Sequence, residues 1–374
     1  MKQIVYADNA ATTKLDEEAL EAMLPFFVDD YANASQPYSF ARGAKKAIRK
    51  AREIIASCIN ALPEEIYFTS GGTESDNWAI KNVVLSRSEH RMTITSSIEH
   101  HAVLRSCEAI ERAGYPVVYL RPDTVGRVQV KTLEDAMTDK TGLVSIMLAN
   151  NEIGTIQAIK DLASIAHRYG AIFHTDAVQV VGHVKVDVQD LGVDMLSASA
   201  HKFNGPKGVG FLYIRKGTEV ISYQDGGSQE NALRAGTENT AAIVGMAVAL
   251  KRNCEQLDQH VTHIKRLEDM LIAMLDETGI AYARNGGQET LPGLISLSFH
   301  NADGEAILHR LDLQGICVST GAACNSKETK ISHVLQAIGL EEDYAKGTVR
   351  ISLGRHNTEE DIENIVAAIK KILQ

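Results

Sequence analysis

Long apolar runs are missing from this chain. No stretch of about 18 apolar residues is present to span a bilayer as a helix. The opening segment, "MKQIVYADNAATTK", also lacks the apolar stretch of a secretory signal, so neither membrane insertion nor secretion is expected. Paired cysteines are missing too. None of the five (Cys58, Cys107, Cys254, Cys317 and Cys324) stands in a C-x-x-C pair, which speaks against zinc and against a thioredoxin-type centre. Their odd number fits free thiols in a reducing cytoplasm. Positive charge is in short supply, with 38 Lys and Arg against 48 Asp and Glu and a net charge of -10. Direct nucleic-acid binding would leave a basic footprint, and only "ARGAKKAIRKAR" (41–52) is basic. Its charges fall at helical spacing and read as one solvated helix face. There is no internal repeat, no low-complexity tract, no Pro-rich linker and no Walker-type G-x-x-x-x-G-K-[ST].

What is present is a chain of 374 residues, 44% hydrophobic and 23% charged, long enough for two domains. From about Glu65 to Ile214 short apolar runs alternate with amphipathic stretches: "EIYFTS", "RMTITSS", "PVVYL", "GLVSIMLA", "AIFHTD", "VDMLSAS" and "VGFLYI". Near-continuous runs separated by helices predict a mostly parallel sheet covered on both faces, an α/β fold. A long helical stretch, bent near its middle, follows "RAGTEN". A second αβ pattern then runs through "LISLSFH", "DGEAILHRLD", "GICVSTG", "TVRISLG" and "TEEDIENIVAAIKKIL", which places a domain boundary near residue 255.

In an open α/β sheet a ligand sits outside the carboxyl ends of the strands. The unusual polar residues gather there. "IYFTS" runs into "GGTESDN" (71–77), where two glycines and a helix start offer backbone N–H groups to an oxyanion. A plain helix cap explains that turn about equally well. "TSSIEHHAV" places His100 and His101 at a helix start, "VSIMLANNEIG" ends on Asn150 and Asn151, and "AIFHTDAVQ" ends on Asp176 and then Gln179. "SASAHKFNGPKG" puts Lys202 after a fifth strand. A partly desolvated lysine loses its proton more readily and becomes a nucleophile. A lysine, a buried carboxylate and a phosphate cradle together suit pyridoxal 5'-phosphate (PLP): the lysine holds its aldehyde and the carboxylate keeps its ring nitrogen protonated.

The segments "YADNAATT", "FTSGGTESDN", "EHHAVL", "NNEIGTIQ", "HTDAVQ", "SASAHKFNGPKGVGFLY", "RAGTEN" and "STGAAC" resemble, in order and over nearly the whole chain, the cysteine desulfurases of the NifS/IscS type, class V members of the fold-type I PLP enzymes. The resemblance implies a large PLP-binding domain over residues 15–255. A smaller C-terminal α+β domain, from residues 1–14 and 256–374, would carry a catalytic cysteine loop. It implies Lys202 as the PLP lysine, His100 on the ring, Asp176 at the ring nitrogen, and Asn151 and Gln179 near the ring hydroxyl. Gly72, Thr73, Ser199 and His201 would hold the phosphate. Thr237 would add a contact from a partner subunit, which makes the protein a homodimer. Asn151 and Arg350 would bind substrate, Arg350 clamping its carboxylate. Asn33 has the same expected role, although the family usually writes a proline after this asparagine and here there is none.

PLP alone does not select a reaction. Cys324 lies among small and polar residues in "STGAACNSKETK", whereas the other four cysteines sit in helical or strand patterns and read as buried small hydrophobes. By the resemblance Cys324 takes sulfur from L-cysteine as a persulfide, leaving L-alanine, and passes it to an acceptor protein. The acceptor would serve iron–sulfur assembly, tRNA thiolation or DNA phosphorothioation. A PLP aminotransferase needs no such cysteine, and a selenocysteine lyase can dispense with it. A non-catalytic binding subunit is the reading from another class, disfavoured by the intact Lys202, Asp176, His100, Cys324 and Arg350.

Overall fold

The computed structural model describes residues 4–86, 92–320 and 331–374; Cys324 lies outside them. Its strands are β1 (Val5–Tyr6), β2 (Ile66–Thr69), β3 (Met92–Ser96), β4 (Val117–Leu120), β5 (Thr141–Ser145), β6 (Ile172–Asp176), β7 (Met195–Ser199), β8 (Gly210–Ile214), β9 (Tyr282–Asn285), β10 (Leu294–Phe299), β11 (Ile316–Cys317) and β12 (Thr348–Ser352). Every apolar run between Glu65 and Ile214 is a strand of one seven-stranded sheet, in the order β2-β8-β7-β6-β5-β3-β4. Only β8 runs against its neighbours, pairing antiparallel with both β2 and β7, so the sheet is mostly parallel.

The reason for the continuous apolar runs is visible in their alternation. Val144, Phe173, Leu196 and Phe211 pack on one face with Ile48 and Ile55 of the helix Arg42–Cys58 and Met246 and Leu250 of the helix Thr240–Glu255. Their chain neighbours Leu143, Ile172, Met195 and Leu212 pack on the other face with Trp78, Val83 and Val103. Both faces being covered, both sets of side chains must be apolar.

A second core joins Ile295, Leu297, Val349 and Ile351 to Leu267, Leu271, Ile362 and Ile365. Here β10 pairs antiparallel with β9 and β12, and the helices Leu257–Asp276 and Glu359–Leu373 cover the sheet. The long helical stretch divides at Gln256, which ends the helix Thr240–Glu255 and opens Leu257–Asp276. Val5 and Ala7 belong to this second core, whereas Ala10 belongs to the first. The N-terminal segment therefore crosses between the two.

Two expectations need amending. The basic run does form a helix, but its last member is not solvated. Arg52 forks onto Glu230 at 2.6 and 2.8 Å and lies over the Phe68 ring. Of the four cysteines read as buried, only Cys107 is; Cys58, Cys254 and Cys317 are half-buried. Cys58 and Cys254 end neighbouring helices and line one cavity, where their thiols are within hydrogen-bonding reach of each other. Small residues at helix ends are reachable from solvent even when their neighbours one turn earlier are not.

Candidate active site

The carboxyl ends of β2, β3, β5, β6 and β7 open on one edge of the sheet, where a cavity of about 470 Å³ lies. At the first end the backbone turns at Gly71, whose φ of +150° favours glycine, and the helix Gly72–Ser86 starts at once. A Cβ on Gly72 would stand 2.5 Å from Val178 Cγ2, so a larger residue fits only if Val178 or the backbone shifts where this turn meets the loop after β6. Thr73 follows on the cavity wall, beside the positive end of a 15-residue helix.

The end of β3 delivers His100 as the cap of the helix His101–Arg112. Its Nδ1 accepts the Ala102 N–H at 3.1 Å. That bond assigns the lone pair to Nδ1 and leaves Nε2 as the N–H of the neutral ring. Burial pushes the His100 pKa below the usual histidine value, while Asp176 opposes the shift.

Asp176 is the last residue of β6, and Oδ1 accepts the Val178 N–H at 2.9 Å. Burial raises its pKa, and His100, that N–H and Lys202 pull it back. A carboxylate placed so deep calls for a cation facing it. Lys202 arrives from the short turn after β7, its Nζ donating to the carbonyls of Ala10 at 2.5 Å and Ala11 at 2.9 Å. Ser199 and His201, on the same turn, line the wall; burial pushes His201 down to about 4, and its Nδ1 lies 3.2 Å from Thr12 Oγ1.

Nine of the residues singled out in the sequence line this cavity: Gly72, Thr73, His100, Asn151, Asp176, Gln179, Ser199, His201 and Lys202. His101 and Asn150 do not, and neither do three of the residues given a cofactor or substrate role. Arg350 is buried behind Asn151, donating to its carbonyl and to Asp8 Oδ1, each at 2.9 Å. Asn33 is half-buried, and its side chain accepts the Ser35 N–H. Thr237 is exposed.

Asp76 and Met147 also line the cavity, and the "DNAATT" segment is a structural part of it, although the motifs above give none of them a role. That segment supplies Thr12 and the carbonyls beneath Lys202, and Gln179 Nε2 donates to Ala10 O at 3.0 Å. No periodicity marks a stretch whose contacts to the site are with residues far along the chain. Asp76 carried a signal that helical spacing gave away: four residues on from Gly72, it lies on the same face of the helix.

Residues 5–365 match the family described as Aminotransferase class-V. The chain is similar to a protein of Dictyoglomus turgidum named cysteine desulfurase IscS, 47% identical over all of this chain and 95% of the relative. Among solved structures it resembles a NifS-like protein with a TM-score of 0.94 and 38% identity, covering 99% of both chains. A second solved relative, titled SspA in complex with cysteine, gives a TM-score of 0.83 at 37% identity, over 96% of this chain and 100% of that one.

Proposed function

The chain belongs to the class-V aminotransferase family, and from that premise we propose that it is a PLP-dependent cysteine desulfurase, which removes sulfur from L-cysteine and releases L-alanine. The observation that carries this reading is the meeting of the Lys202 amine, the Asp176 carboxyl and the His100 imidazole in one cavity beside a glycine-bounded helix start. These residues fit the cofactor. Among the described residues no lysine, arginine or histidine nitrogen is paired with Asp176 at salt-bridge distance, and the Gly71–Gly72 turn leaves no side chain where a phosphate would lie against backbone N–H groups.

When bound, PLP supplies an aldehyde that captures amines and a ring that withdraws electrons from the attached carbon. Lys202 would hold that aldehyde and, once displaced by substrate, move the proton from the substrate α-carbon. Asp176 would hold a proton at the ring nitrogen. Thr73, Ser199 and His201 would bind phosphate oxygens as neutral donors, His201 kept uncharged by burial. His100 Nε2–H can donate a hydrogen bond into the cavity while Nδ1 keeps its helix cap, and the ring takes up a proton only by releasing that cap at Nδ1. Arg350, held by Asp8 and the Asn151 carbonyl, would meet the substrate carboxylate after exchanging one of those partners.

The sulfur would be received by the Cys324 thiolate, the thiol itself being a poor nucleophile. Cys324 is outside the described residues, yet the chain on either side is tied to the site. Ser319 pairs with the Arg350 backbone, and past the segment Ser332 Oγ donates to Glu152 Oε2 at 2.5 Å, next to Asn151. His333 donates to the Glu99 carbonyl and its ring packs against His101.

Further parts of the reading concern the whole protein. A large domain over 15–255, with 1–14 and 256–374 forming the smaller one, is supported by the helix break at Gln256 and by a second core drawn from Val5, Ala7 and residues beyond 256, while Ala10, Leu291 and Leu294 pack into the first core. A homodimer is supported by an exposed apolar stretch of Leu24, Phe27, Val28, Tyr31, Tyr38 and Phe40, and by Thr237 lying on the surface rather than in its own chain's cavity. Reduced thiols suit a cytoplasmic enzyme handing sulfur to an acceptor protein, such as one of iron–sulfur assembly.

The deciding experiment supplies PLP and L-cysteine to the purified chain. A visible absorbance band that vanishes in Lys202→Ala, together with alanine formation in the presence of reductant, supports the reading. A colourless protein, or keto acid in place of alanine and sulfide, overturns it.

A further inference from the structure

Behind Asp176 lies a second carboxyl that no step above uses. Asp76 is 1% exposed and lines the cavity, and one of its oxygens comes within 4.8 Å of both an Asp176 oxygen and a His100 nitrogen. Among the described residues its Oδ1 has no hydrogen-bond partner. The nearest basic group is His174 Nε2 at 3.7 Å, and that ring is wholly buried between Ser145 Oγ and Ser197 Oγ, each 2.9 Å from a ring nitrogen. Burial pushes His174 down to about 3, so it stays neutral and offers Asp76 no charge.

Two carboxylates this close, out of water and without a cation between them, do not both stay ionised. The surroundings decide which one takes the proton. Asp176 has the Val178 N–H and the fields of Lys202 and His100 favouring its charged form. Asp76 has the Ser197 hydroxyl in its favour, but burial and the charges of Asp176 and Glu99 act against it, and its pKa is raised well above the usual carboxylate value.

We propose that Asp76 is a positioning residue for Asp176: a neutral carboxyl whose O–H dipole keeps its neighbour ionised at the place where the cofactor's ring nitrogen docks. The inference rests on the PLP reading above. The pair shares one proton, which resides on Asp76, and the ring nitrogen keeps its own proton because Asp176, steadied from behind, is the weaker base. Without the dipole Asp176 becomes more basic and draws the proton off the ring.

The test uses the full chain loaded with ¹⁵N-labelled PLP, reading the ring-nitrogen chemical shift and the PLP dissociation constant in wild type, Asp76→Asn and Asp76→Val. An amide of the same shape is neutral and still donates, so Asp76→Asn is expected to leave the shift in the protonated range and the affinity within about twofold. Valine removes the donor. It is expected to move the shift toward the unprotonated range and weaken PLP binding by about tenfold, the effect of raising the pKa of Asp176 by about one unit. In the apo chain, an infrared difference spectrum between wild type and Asp76→Asn should contain the carbonyl stretch of a protonated carboxyl.

A large change in Asp76→Asn, or a missing protonated-carboxyl band, would mean Asp76 is ionised and overturns the proposal. An unaltered shift in Asp76→Val overturns it as well. If valine prevents folding, the asparagine variant and the infrared band still decide. Failure of wild type to take up PLP on Lys202 sinks the proposed function instead, so the two failures are distinguishable.

Discussion

Lys202 is held by two main-chain carbonyls of residues that lie 191 and 192 positions away in the chain. Its replacement by alanine is expected to abolish the visible PLP band while leaving the thermal transition little changed, because Ala10 O keeps the Gln179 donor and Ala11 is exposed. Absorbance spectra and melting curves check both halves. Cys324→Ser is expected to keep the band and lose alanine formation by at least about a hundredfold with reductant present; unaltered turnover would remove the cysteine from the mechanism. Glu99 gives a third expectation at this scale. It is buried, and although Ser96 Oγ and the Met147 N–H donate to it, burial pushes it up to about 8. Between the unfolded carboxyl value and pH 8 the folded chain therefore holds a proton that the unfolded chain has lost. The contribution is fully present below the unfolded value, and stability falls as pH rises toward 8, by up to about 1.4 kcal/mol per pH unit. Buried neutral His174, at about 3, acts in the opposite direction only below the ordinary histidine value. Urea titrations of Glu99→Gln between pH 7 and 8 should be flatter than wild type.

Among the elements, the helix Gly72–Ser86 does the most for the site. Its first turn faces the cavity, Glu74 is fixed by a fork from Arg234 at 2.7 and 3.1 Å, and Trp78 and Val83 anchor the next turns under the sheet. Gly72→Ala puts a methyl 2.5 Å from Val178, so either the turn or the loop after Asp176 must move. PLP affinity should fall about tenfold or more with the fold intact, as measured by cofactor titration and circular dichroism. The seven strands were readable because a sheet covered on both faces favours apolar residues at successive positions in short runs. The helix break at Gln256 was readable from length. The positions of Arg52 and of the half-buried cysteines were not, since helical spacing gives the face of a helix but not what a distant segment places against it.

At the scale of the whole molecule, the exposed Phe27 and Val28, about 60% and 69% accessible, mark the surface that a second copy would cover. Phe27→Glu with Val28→Glu should shift the protein to a monomer in analytical ultracentrifugation and weaken PLP retention, since Thr237 would then have no neighbouring cavity to complete. A dimer unaffected by both charges would place the interface elsewhere.

The sequence by itself determined the kinds of groups available, their order, and the fact that five loops follow five strands. Strand and loop chemistry are local, and the α/β pattern places those loops on one edge of the sheet. Only the tertiary structure decided that "DNAATT" lies under Lys202, that Arg350 reaches Asn151 from the second core, and that Asp76 stands beside Asp176. Those juxtapositions depend on packing between residues up to hundreds of positions apart, and burial, which sets the protonation of each group, exists only once the chain has closed around them.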